Sequence, residues 1–325
     1  MSNTLTKDKS QALQAAERIY GTLPERPVHL NCKSESIDPS YAAGKAMLCQ
    51  AKLMAELEEK EISIPFISVI PKADTPLPAI VYLSYEMEIP NKFLPTEEII
   101  DRGYAIFSLC IKDVSDNSPD FKSQITRHIS PSRRKRLSPG KIALWAWAAL
   151  RLLEYVDDLE FVDKKKIIVA GHGMLARSAL LASGNSGKCT HVIASCITEN
   201  PVPFTERSNK SGLTVRDFPY LYSPAFADEP NIDELECLLN LADKKHLLLG
   251  FSEESEFIPD YNYIHIIRNS SQASAAFEPQ KTQSKIPAFP LRIQEDDLSY
   301  HIRRGSDYFS REDWNIYLDF IDKKL

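Results

Sequence analysis

A short apolar run followed by a glycine-rich turn is the part of the sequence best suited to chemistry. Residues 167–170 are apolar on both faces and lead into Gly171-His172-Gly173 and then into an apolar helix. A sharp strand-to-helix turn of this kind needs small residues and lifts its central residue above the sheet edge, where a serine hydroxyl would attack a carbonyl carbon. The central residue here is Gly173, which has no side chain, so covalent catalysis from this position is excluded.

Four other side chains near this turn could carry chemistry, and each has a more ordinary role. His172 adjoins the turn and His301 lies on the last predicted strand, where packed histidines are common. Ser178 lies about one helical turn too far along the following helix to replace the missing hydroxyl. Cys196 follows the next strand and could act as a thiol nucleophile, although a buried cysteine usually packs as a small apolar side chain.

Strands that alternate with helices must position these groups. Helical spacing is found at 9–20, 40–60, 95–100 (with Thr96 as the N-cap) and 138–155, and strand-like runs at 62–70, 79–83, 104–109, 167–171, 191–194, 246–250 and 300–302. The alternation predicts an α/β fold whose mostly parallel central sheet has helices on both faces. Residues 1–60 are predicted to form a helical leader packed on a main domain of 61–325, with an irregular cap or loop at about 200–232 and a mobile connection at about 269–287.

The turn and several other segments resemble one family. In the bacterial acetyl xylan esterase and glucuronoyl esterase-like branch of the α/β-hydrolases the turn has the pattern Gly-His-Ser-x-Leu-Gly-Lys, which matches Gly171, His172 and Leu175 and, conservatively, Ala176 and Arg177. Similar stretches occur at 94–104, 140–149 and 311–314, so the resemblance covers about residues 60–325. It implies an α/β-hydrolase fold and, for an intact site, hydrolysis of acetyl or glucuronoyl esters of carbohydrates.

The resemblance also implies where the remaining catalytic groups lie. The family's base histidine corresponds to Asp307, and its acid corresponds to Glu254, which follows the strand at 246–250. Some glucuronoyl esterases take their acid from the preceding loop, where Glu199 is near but does not align cleanly. An aspartate is a poor base toward a serine hydroxyl at neutral pH, and this chain has no serine to activate. The triad-equivalent positions are therefore Gly173, Glu254 and Asp307, with no intact catalytic set.

The segment that would stabilise an oxyanion also departs from the usual pattern. It follows the strand at 79–83 and contains Tyr85 and two acidic residues, Glu86 and Glu88, which would oppose a developing negative charge. The family arginine that often follows the nucleophile is replaced by Met174. We predict that Tyr85, Glu86, His172, Met174 and Glu199 line whatever pocket remains.

Composition narrows the class of protein. The chain has 325 residues, a net charge of -6 and 43% hydrophobic residues, and its basic residues are interspersed with acidic ones, which argues against a nucleic-acid partner. The N-terminus lacks the apolar segment of a secretory signal, and no run is long enough to span a membrane, so a cytoplasmic location is expected. The six cysteines show no metal-binding spacing, and no metal or cofactor is expected.

The sequence therefore leaves two hypotheses. The first is a catalytically inactive esterase-like protein that binds a small carbohydrate or ester ligand, or a protein partner whose nature the sequence does not indicate. The second is an active carbohydrate-ester hydrolase with a non-standard site, in which Glu254 or Asp307 activates water or another residue acts as the nucleophile. A pocket filled by Tyr85, Met174 or Tyr308 would argue against the second.

Overall fold

A single mixed sheet runs through the protein, and the computed structural model describes residues 9–57, 60–122, 125–129, 134–197, 215, 217–228, 232–255, 258–269 and 290–323. The strands are β1 (Leu30–Ser40), β2 (Ala46–Leu57), β3 (Lys60–Pro71), β4 (Leu77–Ser84), β5 (Ala105–Cys110), β6 (Val162–His172), β7 (His191–Ser195), β8 (His246–Ser252), β9 (Leu291–Gln294) and β10 (Leu298–Arg303). They form a 10-stranded sheet in the order β1-β2-β3-β5-β4-β6-β7-β8-β10-β9. The central strands from β5 to β10 in this order pair in parallel, as predicted, while β1, β2, β3 and β9 pair antiparallel with their neighbours.

Helices cover both faces of this sheet. They are α1 (Lys9–Tyr20), α2 (Tyr41–Gly44, a tight turn with Ala42 and Ala43 at positive φ), α3 (Thr96–Asp101), α4 (Ile111–Val114), α5 (Thr126–Ile129), α6 (Lys141–Asp158), α7 (Met174–Asn185), α8 (Glu234–Leu241), α9 (Tyr261–Asn269) and α10 (Arg311–Asp322). Short 3₁₀ turns occur at Pro219–Leu221 and Pro224–Asp228. Among the described helices, none is long and apolar enough to cross a bilayer.

The two layers are visible in neighbouring residues of β6, because successive strand side chains point to opposite faces. Val169 packs in the core that contains Trp145 of α6 and Leu180 of α7. Ile168 packs in the other core, which contains Trp314 of α10. The prediction of an α/β-hydrolase fold with helices on both faces is thus confirmed in its architecture.

The helix predicted over residues 40–60 is wrong, because most of this segment is strand β2. Its alanines, leucines, lysines and glutamates favour a helix, which explains the prediction. However, Ala51, Leu53 and Ala55 are buried while Lys52 and Glu56 between and beside them are exposed, which is the period of a strand. β2 pairs with both β1 and β3, so cross-strand packing outweighs the helix propensity. Within the described part of residues 1–60, the helical structure is therefore α1 and the short turn α2, and β1 and β2 belong to the sheet.

The predicted N-cap of α3 is wrong, and two predicted loops fall mostly outside the described residues. The N-cap of α3 is Pro95 rather than Thr96, whose hydroxyl donates to the carbonyl of Leu94 at 3.2 Å from inside the helix. Most of the predicted cap at 200–232 and of the connection at 269–287 lies outside the described residues.

A buried ion pair joins the helices beneath the elbow. Arg177 of α7 and Glu234 of α8 are 0% and 1% exposed, and Nε of the arginine lies 3.0 Å from each carboxylate oxygen. Tyr20, the last residue of α1, donates its hydroxyl to Glu234 at 2.5 Å. Glu234 therefore connects the elbow helix to both α8 and α1.

Candidate active site

The turn between β6 and α7 has the backbone of a nucleophile elbow. Gly173, at its centre, has φ 59° and ψ -123°, in a region that residues with a side chain rarely adopt. A Cβ on Gly171 would lie only 2.1 Å from the carbonyl oxygen of Leu175, so the close approach of strand and helix requires glycine there. The chain therefore has the strained turn of a nucleophile elbow with no side chain at its centre.

Gly173 also retains space for a side chain. Beyond its chain neighbours, the one described heavy atom within 4 Å of a Cβ built on Gly173 is Oη of Tyr85, at 3.6 Å. This is an ordinary van der Waals distance, so there is space for a serine Cβ, and the cost of a side chain here is the strain of the positive φ. This position lacks a nucleophile because glycine has no side chain, and not because a neighbouring atom blocks the Cβ.

Tyr85 occupies the space in front of the elbow. Its hydroxyl donates to the carbonyl oxygen of His172 at 3.1 Å. Burial raises the pKa of Tyr85, while interaction with the backbone of Leu175 and Met174 lowers it. The N–H of the residue after the nucleophile is one of the two oxyanion donors in sites of this kind, and here that residue is Met174. The Tyr85 hydroxyl therefore lies in front of the elbow, beside the backbone that would supply this donor.

The second oxyanion donor would come from the loop after β4, and polar groups of that loop are hydrogen-bonded to each other. The N–H of Glu86 donates to Oγ of Ser84 at 3.0 Å, and Ser84 in turn donates to the carbonyl oxygen of Glu86 at 2.8 Å. Glu86 is half-buried. Of the predicted pocket residues, His172 and Met174 flank Gly173 in the turn and Tyr85 reaches it with its hydroxyl, while the backbone of Glu86 is hydrogen-bonded to Ser84 within its own loop.

Asp307 lies beside His172 rather than near a serine. Its Oδ1 is 3.7 Å from Nε2 of His172, and the imidazole stacks against Phe309 and Phe93 with ring centroids 5.6 and 6.3 Å away. Burial lowers the pKa of His172, against the opposing effect of the Asp307 charge, so the ring is neutral near pH 7. The packed role expected for His172 is present, together with a carboxylate neighbour that the sequence did not indicate.

Cys196, just after β7, completes this group. Its Sγ, a ring nitrogen of His172 and a carboxylate oxygen of Asp307 all lie within 4.8 Å of one another. Cys196 has φ 48°, a left-handed conformation that costs roughly 1–3 kcal/mol in a residue with a side chain and concentrates at functional sites. Burial and the charge of Asp307 raise the pKa of the thiol well above its usual range, so the thiolate nucleophile considered from the sequence is disfavoured.

Ser195 is a further residue that sequence reasoning missed. Its Oγ lies 3.4 Å from Nδ1 of His172, so Ser195, His172 and Asp307 follow one another in the order of a hydrolase triad. Both contacts are longer than the 2.6–3.2 Å or so expected of a working relay, and Ser195 is 0% exposed. An ester cannot reach this hydroxyl in the described structure.

The remaining predicted residues do not join the cluster. Glu254 lies in the turn after β8 with its side chain exposed, and its N–H donates to the carbonyl oxygen of Gly305 at 3.3 Å. Glu199 lies outside the described residues. Ser178 is buried and donates to the carbonyl oxygen of Ile142 at 3.1 Å, and His301 is paired with Asp313 at 2.8 Å. Ser178 and His301 therefore have the structural roles expected from the sequence.

Asp313 holds the loop that carries Asp307. Its carboxylate accepts from Nε of Arg303 at 2.8 Å and from the N–H and hydroxyl of Ser310 at 2.8 and 2.7 Å, in addition to His301. Burial alone would raise the pKa of Asp313, but the hydrogen bonds and charges of His301 and Arg303 lower it below its usual value. The carboxylate thus fixes both ends of the loop between β10 and α10.

We expect Asp313→Asn to lower the free energy of unfolding by about 2–3 kcal/mol, because buried donors lose their charged acceptor. The matched control is Asp319→Asn on the same helix, whose half-exposed pair with Arg102 should contribute less than about 1 kcal/mol. Since the folded pKa is depressed, the difference should be full above about pH 4 and shrink as the pH falls through the folded-state value. Urea unfolding at several pH values measures it, and equal losses for both variants would contradict the assignment.

Solved structures of carbohydrate esterases have the same fold. A glucuronoyl esterase from Solibacter usitatus superposes with a TM-score of 0.77 at 19% identity, covering 98% of this chain and 92% of that one. A promiscuous CE15 esterase from a marine bacterial metagenome gives 0.73 at 17% identity, covering 98% and 91%. A glucuronoyl esterase catalytic domain from Hypocrea jecorina gives 0.67 at 15% identity, covering 98% and 82%. At such identities these likenesses show the α/β-hydrolase fold alone.

A sequence relative points to the same group. Carbohydrate esterase MZ0003, from an unknown prokaryotic organism, is 21% identical over a region that covers 70% of this chain and 55% of the relative. The chain therefore spans about half the length of this curated relative. No protein-family model matches the chain. The predicted resemblance to an esterase-like branch of the α/β-hydrolases is confirmed by these similarities.

Proposed function

We propose that this chain is an α/β-hydrolase that has lost serine-type ester hydrolysis and uses the retained scaffold to bind a carbohydrate or ester ligand. The observation that carries the proposal is the elbow itself: Gly173 has the nucleophile's backbone, and the hydroxyl of Tyr85 lies in front of it, donating to the carbonyl oxygen of His172. Acyl transfer needs both a nucleophile and free oxyanion donors. The first is absent at Gly173, and the Tyr85 hydroxyl lies in the space in front of the elbow, beside the donor at Met174.

The carbohydrate part of the proposal comes from the relatives and from the chemistry around His172. Relatives named for hydrolysis of carbohydrate esters share the fold. Phe93 and Tyr308 are both half-buried, with ring centroids 5.1 Å apart beside His172. Aromatic faces with a few polar groups are the usual lining of a small-molecule site.

A second candidate, hydrolysis by relocated groups, has one observation in its favour. Asp307 lies beside His172, which contacts Ser195, so a carboxylate, an imidazole and a hydroxyl are in sequence. The burial of Ser195 and the position of Tyr85 weigh against it. A water activated by Asp307 would avoid the buried hydroxyl, and an activity assay distinguishes these cases.

The test is the hydrolysis of p-nitrophenyl acetate and methyl glucuronoate esters by the unaltered protein, with and without a chelator. We expect rates equal to the protein-free blank in both conditions, because no described residue supplies an accessible, activated nucleophile. Saturable hydrolysis would overturn the proposal. The variants Ser195→Ala, Cys196→Ala, Glu254→Gln and Asp307→Asn would then locate the group responsible, with Ser178→Ala as the matched control for a buried hydroxyl outside the site.

A further inference from the structure

Three side chains from separate segments converge where the catalytic groups of an active relative would lie. His172 ends β6, Cys196 follows β7, and Asp307 lies in the loop after β10, and their ligand atoms are all within 4.8 Å of one another. We infer that they form a binding site for a single Zn²⁺ ion, with the fourth position open to water or to a ligand. This inference goes beyond the proposed function and does not depend on it.

The donor set fits zinc in both type and charge. Thiolate, imidazole and carboxylate are the groups that bind Zn²⁺ in proteins, and sites with three protein ligands keep one position open. A thiolate and a carboxylate together carry two negative charges, which the divalent cation neutralises. Charge neutrality matters here because Cys196 is 2% exposed, and an unneutralised pair of negative charges would be strongly disfavoured at that depth.

The spacing requires only small movements. Zinc bonds of about 2.0–2.3 Å in a tetrahedron separate neighbouring ligand atoms by roughly 3.3–3.7 Å. Nε2 of His172 and Oδ1 of Asp307 are already 3.7 Å apart. Taking one ring nitrogen of His172, Sγ of Cys196 and one carboxylate oxygen of Asp307, all separations are at most 4.8 Å, so side-chain movements of about an ångström would close the set.

Residues around the three donors already orient them. Nδ1 of His172 lies 3.4 Å from Oγ of Ser195, which leaves Nε2 facing Asp307. Metal-binding histidines typically donate their other ring N–H to such a partner. The left-handed backbone of Cys196 is held by its N–H, which donates to the carbonyl oxygen of Gly250 at 2.7 Å. The strained cysteine, the imidazole that contacts Ser195 and the carboxylate of Asp307 are therefore all held in place as ligands of one metal ion would be.

The site also has an entry path. The Asp307 side chain is 35% exposed, whereas that of His172 is 16% exposed. An ion can therefore arrive at the carboxylate and then contact the more buried donors. Sequence spacing could not reveal the set, because no two of the three ligands lie on the same segment.

Direct metal titration of the full chain tests the inference. The protein is freed of metal with a chelator and titrated with Co²⁺ and then Zn²⁺, followed by absorption and by competition with a chromophoric chelator. We expect one Co²⁺ per chain, with the near-ultraviolet charge-transfer band of a cobalt–thiolate bond, and displacement of Co²⁺ by Zn²⁺. Cys196→Ser should abolish the band, and Asp307→Asn should weaken Zn²⁺ binding by at least about 10-fold.

Two further variants distinguish loss of the metal site from general effects of substitution on the protein. Cys110→Ser removes another buried thiol, at the end of β5, and should leave the band and the affinity unchanged. Ser195→Ala should retain the band and weaken binding by about 10-fold, since it alters only the orientation of the imidazole. Absence of stoichiometric binding, or equal binding by Cys196→Ser and the unaltered protein, would overturn the inference. If Cys196→Ser does not fold, the partly exposed Asp307→Asn decides the same question. Ester assays are not part of this readout, so its failure and that of the proposed function are distinguishable.

Discussion

Ester hydrolysis by the double variant Gly173→Ser/Asp307→His is expected to stay at the blank, and the added change Tyr85→Ala is expected to raise it about 100-fold above that level. The double variant regains a nucleophile and a base, and the elbow has room for the serine Cβ. However, the Tyr85 hydroxyl still lies in front of the elbow, 3.6 Å from a Cβ at position 173 and donating to the carbonyl oxygen of His172. Removing one oxyanion donor from a working esterase costs about 10²–10³-fold, so freeing the donor should have an effect of this order.

The controls for this experiment use the same background. Tyr85→Phe with the two reversions removes only the hydroxyl, which is the atom that lies at the elbow, so hydrolysis should rise by a factor similar to that of the Tyr85→Ala triple variant. Thermal unfolding of each variant shows whether the scaffold persists. A double variant as active as the triple one would show that Tyr85 does not obstruct the site. A triple variant at the blank, although folded, would show that the site has diverged beyond these three residues.

Glu234→Ala is expected to lower the free energy of unfolding by about 3–5 kcal/mol. The carboxylate is 1% exposed and holds Arg177, which is 0% exposed, through both of its oxygens. Its removal leaves a deeply buried guanidinium without its anionic partner, and the hydroxyl of Tyr20 also loses its acceptor. Because α1, α7 and α8 meet at this carboxylate, the loss should weaken packing beneath the elbow as a whole.

Urea denaturation measures this loss, with Glu236→Ala as the matched control. Glu236 is on the same helix and in the same turn, but it is exposed, so its replacement should change stability by less than about 0.5 kcal/mol. Glu234→Gln, which keeps an acceptor but not the charge, should fall between the two. Similar stabilities for Glu234→Ala and Glu236→Ala would contradict the importance given to the buried pair.

The elbow could be predicted from sequence because its constraints are local. Gly171 is required by the approach of the Leu175 carbonyl, and Gly173 occupies the positive-φ centre of the turn, where the resembling family has serine. Both positions are read directly from a short motif between a strand and a helix. The parallel strands could also be predicted from the sequence, because each is a short apolar run buried on both faces. Strand β2 was missed because its residues favour a helix when taken alone, and only pairing with β1 and β3 makes the strand the better solution.

The grouping of side chains in the site could be predicted only in part. Tyr85 was identified as a pocket residue from its place after β4, but the position of its hydroxyl depends on how that loop crosses the elbow. The meeting of Cys196 with His172 and Asp307 depends on three parallel strand ends lying near one edge of the sheet. Such contacts between distant segments leave no spacing signal in a single sequence.

The central claim, that the elbow carries no activated nucleophile, is tested most directly by the intact mass of the protein after exposure to a serine-directed fluorophosphonate. An active serine hydrolase treated in parallel should gain one phosphonyl group per chain. We predict that this protein keeps its original mass, because Gly173 has no side chain and the hydroxyl of Ser195 is fully buried. A stoichiometric adduct that maps to Ser195, Tyr85 or another residue at the elbow would contradict the account.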